Sequence, residues 1–355
     1  MEDIKVALIG VGNCASALVQ GVEFYKNAIS PDDAVGLSHP DFAGYHVKDI
    51  RFVAAFDVTQ DKVGLDLADA IFAPPNNVLR FATVPKLGVS VVRGPTHDGI
   101  DENLASVVKI SHTKEVDVVK VLRNSGTEIA INLLPGSSAS ATAFYANACL
   151  EAGCAFVNAT PIRIASDPEW GRRFAERGIP LVGDDLQDQL GSTIIHRNLM
   201  QLLVARGVLI EKSYQLDVGG GTESIDSHYR GRMMKREIKS AAVSQDVPYP
   251  VPVVAGSSDY VPFLNNGRES YFYIHGRQFG GAPVTIDIRL EATDGPNAGP
   301  VLLDVIRGVK LALKRKLAGP LESLSAYGFK SPPKSTTIYQ AERMVEEFLL
   351  GKRRS

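Results

Sequence analysis

Six short apolar runs in the first half of the chain leave few folds open: IKVALIG (4–10), FVAAFDV (52–58), VSVVRG (89–94), EIAINLLP (128–135), AFVNATP (155–161) and PLVGDD (180–185). A strand with one wet face alternates apolar and polar residues; these runs are nearly continuous, so both faces are buried. Helical spacing fills the gaps, with Ala15, Leu18, Val19 and Val22 after the first run and Phe144, Cys149 and Ala152 after GSSASA. Strand and helix in turn predict an α/β fold, a Rossmann-like doubly wound parallel sheet covered on both sides.

The texture changes after about residue 205. KSYQLDV (212–218), SYFYIHGRQF (270–279) and VTIDIRLEAT (284–293) alternate with period two, which predicts a mostly antiparallel sheet in a second, α+β domain. GPVLLDVIRGVKLALKR reads as a helix over about 299–315, and SAYGFKSPP (325–333) as a turn-rich frame for polar groups. Three prolines bar DVPYPVPVV (246–254) from the middle of a sheet, leaving an edge or a connection. A length of 355 residues suits two domains. The expected division is 1–205 for dinucleotide binding, 206–310 for substrate and subunit contacts, and 311–355 for a segment returning to the first domain.

A formal charge of −2 gives no general attraction to nucleic acid or to an acidic membrane surface. Cys14, Cys149 and Cys154 are too few and scattered for a disulfide framework, and they lack the spacing of a zinc site, as do His196, His228 and His275. These features, an apolar strand from the fourth residue and the lack of any apolar run near the ~20 residues of a membrane span predict a soluble, cytoplasmic protein.

Gly10, Gly12 and Ala15 form a G-x-G-x-x-A turn between the first apolar run and a helix, where backbone N–H groups meet a pyrophosphate. Asp57 ends the second run, placed to bind a ribose hydroxyl and to favour NAD over NADP. It lies further on than the usual ~20 residues because SPDDAVGLSHPDFAGYHVKDI (30–50) intervenes. A packing turn and a plain strand-end acid would show the same letters. Lys235 and Lys239 of MMKREIKS share one face if that stretch is helical, and Lys330 lies in FKSPP. Two lysines facing one site are expected to depress each other's pKa, whereas an exposed basic face would not. Asp185 closes the sixth run, and Asp294 follows a strand before the turn DGPNAG; helix capping is the other role open to both. Gly191, Ser192 and Thr193 stand at a helix start, as a phosphate cradle or as a simple cap.

IGVGNCASALVQGVEFY, FVAAFDVTQDKVGLDLADAIFAPPNN, RGPTHDG, FYANACLEAGCAFVNATP, VGDDLQDQLGSTIIHR, GSSDYV and FKSPP together resemble the short bacterial branch of the inositol-1-phosphate synthase family. The resemblance implies tightly bound NAD and a redox-neutral cyclisation. A hexose 6-phosphate is oxidised at C5, enolised at C6, closed by an aldol step and reduced again. It places Lys235, Lys239, Lys330, Asp185 and Asp294 in the active site. It places Asn13, Cys14, Asn76, Asn77, Asp98, Leu134, Thr160 and Asp184 on the cofactor side. It also implies a homotetramer joined through the second-domain sheet and, in some members, a monovalent or divalent cation held by substrate and backbone oxygens.

The substrate half departs from that pattern. DVGGGTESIDSH has Gly221 where relatives carry an asparagine, Arg268 stands where an active-site lysine is usual, and Gln187 replaces another lysine. Arginine keeps its proton, so Arg268 can stabilise an anion but cannot cycle as an acid. Departures confined to this half suggest the same chemistry on a different sugar. The two substrates weighed are glucose 6-phosphate, giving inositol phosphate, and fructose 6-phosphate, giving a five-membered cyclitol phosphate as in carbocyclic nucleoside biosynthesis. An ordinary NAD-dependent sugar-phosphate oxidoreductase, or an NAD-binding protein without activity, are the other readings.

Overall fold

The computed structural model describes residues 2–28, 30, 32–98 and 100–355; Pro31 of the 30–50 insertion and Gly99 of RGPTHDG lie outside the described residues. The six apolar runs become strands Ile4–Ile9, Ile50–Asp57, Val91–Arg93, Ile129–Asn132, Ala155–Asn158 and Pro180–Gly183. With the short strand Gly319–Pro320 they form a seven-stranded sheet, parallel throughout. Burial on both faces shows in the side chains: Val6, Leu8, Ile131, Val157 and Val182 pack into one apolar cluster, and Ala7, Ile9, Ala130, Phe156 and Leu181 into another. The first strand lies between Ile50–Asp57 and Ile129–Asn132, so the strand order reverses there. A crevice opens at such a point beyond the carboxyl ends of the strands.

A second sheet is ordered Val253–Tyr260, Leu209–Gly219, Gly267–Arg277, Pro283–Thr293. Its last three strands are antiparallel, while Val253–Tyr260 runs parallel to Leu209–Gly219. The proline segment thus precedes an edge strand that starts just past Pro252. Helices Ser192–Ala205 and Arg232–Ser244 cover one face, where Met200, Ile210, Val243, Ala255 and Ile274 form a small core. Tyr214, Leu216 and Tyr271 remain about two-fifths exposed on the sheet, giving the expected wet face.

Two expectations are corrected here. The helix placed at 299–315 begins at Asp294 and runs to Lys314, so DGPNAG is its first turn and not a loop. Asn266 caps it from another part of the chain: the Asp294 N–H donates to the Asn266 carbonyl at 2.8 Å and the Gly295 N–H to Asn266 Oδ1 at 2.9 Å. Leu302, Val305, Ile306 and Val309 of this helix pack with Val6 and Leu8 of the first strand. The chain therefore returns to the large sheet at Asp294 and not at residue 311. Among the described residues, no helix is long and apolar enough to cross a membrane.

Candidate active site

One continuous cavity lies where the crevice of the large sheet meets the second sheet. Its floor is the glycine turn. Gly10 has φ +90°, and a Cβ there would fall 2.9 Å from the Leu133 carbonyl, so only glycine lets the two strand ends approach. Gly12 precedes helix Asn13–Tyr25 with no side-chain cap and open space above it. Asp57 accepts from the N–H groups of Val11, Val58 and Thr59, each at 2.8 Å, which fixes the carboxylate beside the turn. An uncapped helix start, a side-chain-free glycine and a fixed carboxylate at the second strand's end fit a dinucleotide. Cys14, Asn76, Leu134 and Thr160 line the same cavity.

Lys62 was not anticipated. Its buried ammonium donates to the Val11 carbonyl and to Asn76 Oδ1, both at 2.8 Å, while Asn76 Nδ2 reaches Val11 O at 3.1 Å. The glycine turn is thereby tied to the PPNN stretch. Burial pulls this lysine below its ordinary pKa, against the pull of Asp57 and Asp61.

The chemical end of the cavity is a lattice of opposite charges. Lys235 is on the Arg232–Ser244 helix and reaches Glu223 Oε1 at 3.0 Å and Asp185 Oδ1 at 3.7 Å. Lys330 meets the same Asp185 oxygen at 3.4 Å and also donates to the Leu186 carbonyl. Arg268 Nη2 bridges Glu223 Oε2 at 2.7 Å and Asp294 Oδ2 at 2.8 Å. Burial opposes charge on Lys235, but Asp185 and Glu223 outweigh it and hold the ammonium above the usual lysine range. The mutual depression expected of the lysine pair is thus overturned at Lys235, because carboxylates and not the second lysine are its nearest neighbours. Burial likewise opposes ionisation of Asp185, yet Lys235 and Lys330 keep its carboxyl below the normal value. Asp294 goes the other way: burial, with Asp188 and Glu223 nearby, outweighs Arg268 and pushes it up to about 6.

Several expected residues have other duties. Lys239 shares the helix face of Lys235 but lies a turn away, paired with Asp217 at 2.5 Å and outside the cavity lining. Asp184 is fully buried and accepts from the Ile164, Ala165 and Ser166 N–H groups, shaping that loop and not a cofactor surface. Asp98 caps helix Ala139–Ala152 through Ser140 N and Ala141 N. Asn77 meets Asn13, Ala15 is packed in the core, and neither lines the cavity. Gly191, Ser192 and Thr193 do start a helix, but the cavity is lined by the neighbouring Asp188. Gln187 accepts from Arg197 at 3.1 Å, inside a buried pair of Arg197 with Asp246. Glu223, Asp188 and Asn266, all lining residues, have no local motif that marks them.

Cations interleaved with carboxylates in a crevice beyond the carboxyl ends of a parallel sheet define a class, the Rossmann-type enzymes. Similarity to known proteins narrows it. The family profile described as Myo-inositol-1-phosphate synthase matches residues 191–295. The chain is 43% identical to the inositol-3-phosphate synthase of Mycolicibacterium smegmatis, with 98% of each chain covered, and 42% identical to that of Corynebacterium glutamicum over the same shares. Among solved structures, that of Ari2 is 34% identical, with TM-score 0.78 over 98% of this chain and all of that one. A myo-inositol-1-phosphate synthase-related protein from Thermotoga maritima, 21% identical with TM-score 0.83 over 98% of each chain, shows the shared fold. The chain belongs to the inositol phosphate synthase family and is an enzyme of that intramolecular isomerase class.

Proposed function

We propose that the enzyme is an NAD-dependent, redox-neutral cyclase of a hexose 6-phosphate. The observation that carries this reading is the meeting, in one cavity, of the glycine turn with Lys235, Arg268, Lys330, Asp185 and Asp294. The glycine turn, Asp57 and Asn76 would hold NAD, which when bound accepts a hydride from C5 and returns it after ring closure.

The protein's own groups handle charge and protons. Oxidation at C5 releases a proton from the hydroxyl, which would pass to Lys330, beside Asp185, and return to the C5 oxygen on re-reduction. Loss of a C6 proton, taken by the substrate's own phosphate and passed to the C1 or C2 oxygen as the ring closes, puts negative charge on the C5 oxygen, which Lys235, held as an ammonium, stabilises. Arg268 keeps its positive charge throughout and binds an anionic oxygen of the substrate. The C6 carbon attacks C1 of glucose 6-phosphate to close a six-membered ring, or C2 of fructose 6-phosphate to close a five-membered one. The product is an isomer of the substrate in both cases. The inositol-3-phosphate synthase relatives support the first substrate, and Gly221 with Arg268 in the substrate half supports the second. A homotetramer formed through the exposed face of the second sheet, a cytoplasmic location and an activating cation belong to the same reading.

The test is incubation with each sugar phosphate and catalytic NAD, reading product by mass and NMR and NADH by absorbance. An isomeric ring product without NADH accumulation is expected from at least one sugar. Stoichiometric NADH would make the enzyme an ordinary oxidoreductase.

A further inference from the structure

The cavity contains a cluster of hydrogen-bond donors centred on a residue with no side chain. Gly221 sits at φ −81° before helix Thr222–Tyr229, whose start has no side-chain cap. A Cβ built on Gly221 would lie 3.5 Å from Asn13 Nδ2 and 3.6 Å from Asn266 Nδ2, so two amide nitrogens converge on the space the glycine leaves. Both amides have a fixed orientation. Asn13 Oδ1 accepts from Asn77 N and Val78 N, and its Nδ2 donates one proton to Asn77 Oδ1, leaving one N–H over. Asn266 is about 5% exposed, its Oδ1 is held by the Gly295 N–H, and its Nδ2 has no protein acceptor among the described residues. Asn13, Asn266, Gly221, Thr222 and Arg268 all line the cavity.

We infer that Asn266 Nδ2, Asn13 Nδ2 and the open helix start form a subsite for one acceptor oxygen of the sugar, with Gly221 setting the room available to it. This rests on the reading of the substrate as a hexose 6-phosphate. Asn266 Nδ2 opens on the cavity and no protein oxygen among the described residues accepts from it, so its N–H is free to meet an acceptor oxygen of an occupant. The subsite adjoins Arg268, Glu223 and Asp294, which places its occupant at the substrate end of the cavity. Asn266 reaches the site only because the same side chain caps the Asp294–Lys314 helix, so substrate recognition and the return of the chain to the large sheet share one residue. Gly221 brings no side-chain donor where relatives carry an asparagine, and in this proposal Asn266, just before strand Gly267–Arg277, supplies the donor in its place.

Two variants test this. Asn266→Asp keeps an oxygen for the Gly295 N–H and removes the amide donor. Gly221→Ala introduces no backbone strain and only ordinary contacts, yet fills the subsite with a methyl group. Both are expected to raise KM, and the dissociation constant measured by calorimetry, for the accepted hexose 6-phosphate by about tenfold or more, the scale for a site deprived of a polar partner. NAD affinity should stay near wild type in both, and the melting temperature should do so in Gly221→Ala, which adds no charge. Unchanged sugar binding in both variants, or a loss of NAD affinity in place of sugar affinity, would overturn the inference. A wild-type protein that binds the sugar phosphates without cyclising them would refute the cyclase reading alone, and the variants would still report on the subsite through binding. If wild type binds neither sugar, both readings fall.

Discussion

Ionisation of Asp294 should make the folded protein less stable, and replacing it by asparagine should therefore stabilise the enzyme at neutral pH. Burial, with Asp188 and Glu223 adding to it, raises this carboxyl from 3.8 to about 6 despite the Arg268 contact at 2.8 Å. The folded-state value exceeds the unfolded one, so folding takes up a proton between about pH 4 and 6. This group's contribution to stability is present below that window and is lost as pH rises through it. Each tenfold in the ionisation constant is about 1.4 kcal/mol, so a carboxyl held at about 6 costs on the order of 3 kcal/mol once ionised. A neutral amide carries no such cost, and Asp294→Asn should melt a few degrees higher than wild type at pH 8. The difference should shrink toward zero near pH 4. Thermal unfolding of both proteins across that range, without substrate, is the assay. A variant equally or less stable at pH 8 would show that Arg268 more than compensates the partly buried carboxylate, and would refute the reasoning.

Asp57→Ala should weaken NAD binding in calorimetry at least tenfold, since Asp57 is the carboxylate fixed beside the glycine turn; unchanged affinity would remove it from the ribose site. Lys330→Ala should lower cyclisation by a factor of about a hundred or more while NAD still binds, the range for a lost proton carrier; full turnover would end its catalytic role. Arg268→Lys should retain measurable turnover, because a positive charge still faces Glu223 and Asp294, but with a raised KM from the lost planar fork. Wild-type KM in that variant would mean that a point charge suffices there.

The parts of the fold that were legible depend on their own residues. Continuous apolar runs gave the parallel strands because burial on both faces leaves that pattern, and period two gave the second sheet. The start of the Asp294–Lys314 helix was not legible, since its cap comes from Asn266, at the head of the neighbouring strand Gly267–Arg277, and its own first turn contains Gly295 and Pro296. The glycine turn was readable because its G-x-G-x-x-A spacing falls between an apolar run and a helix, and Asp57 because it ends the second run, although the 30–50 insertion breaks its usual distance from the glycines. Lys235 was readable from helical spacing, but its electrostatic state was not, because Glu223 and Asp185 reach it from other elements. Asp184 and Asp98 show the opposite case: acids at strand ends and in loops whose carboxylates are taken up by backbone N–H groups. Glu223, Lys62 and Asn266 act through contacts between distant segments, so no local pattern announces them.

The claim that the hydride is borrowed and returned is tested most directly with a hexose 6-phosphate carrying deuterium at C5 and a catalytic amount of NAD. The mechanism predicts a cyclitol phosphate that keeps the deuterium at the carbon derived from C5, with no net NADH. Loss of the label from product, or NADH formed in step with turnover, would contradict it.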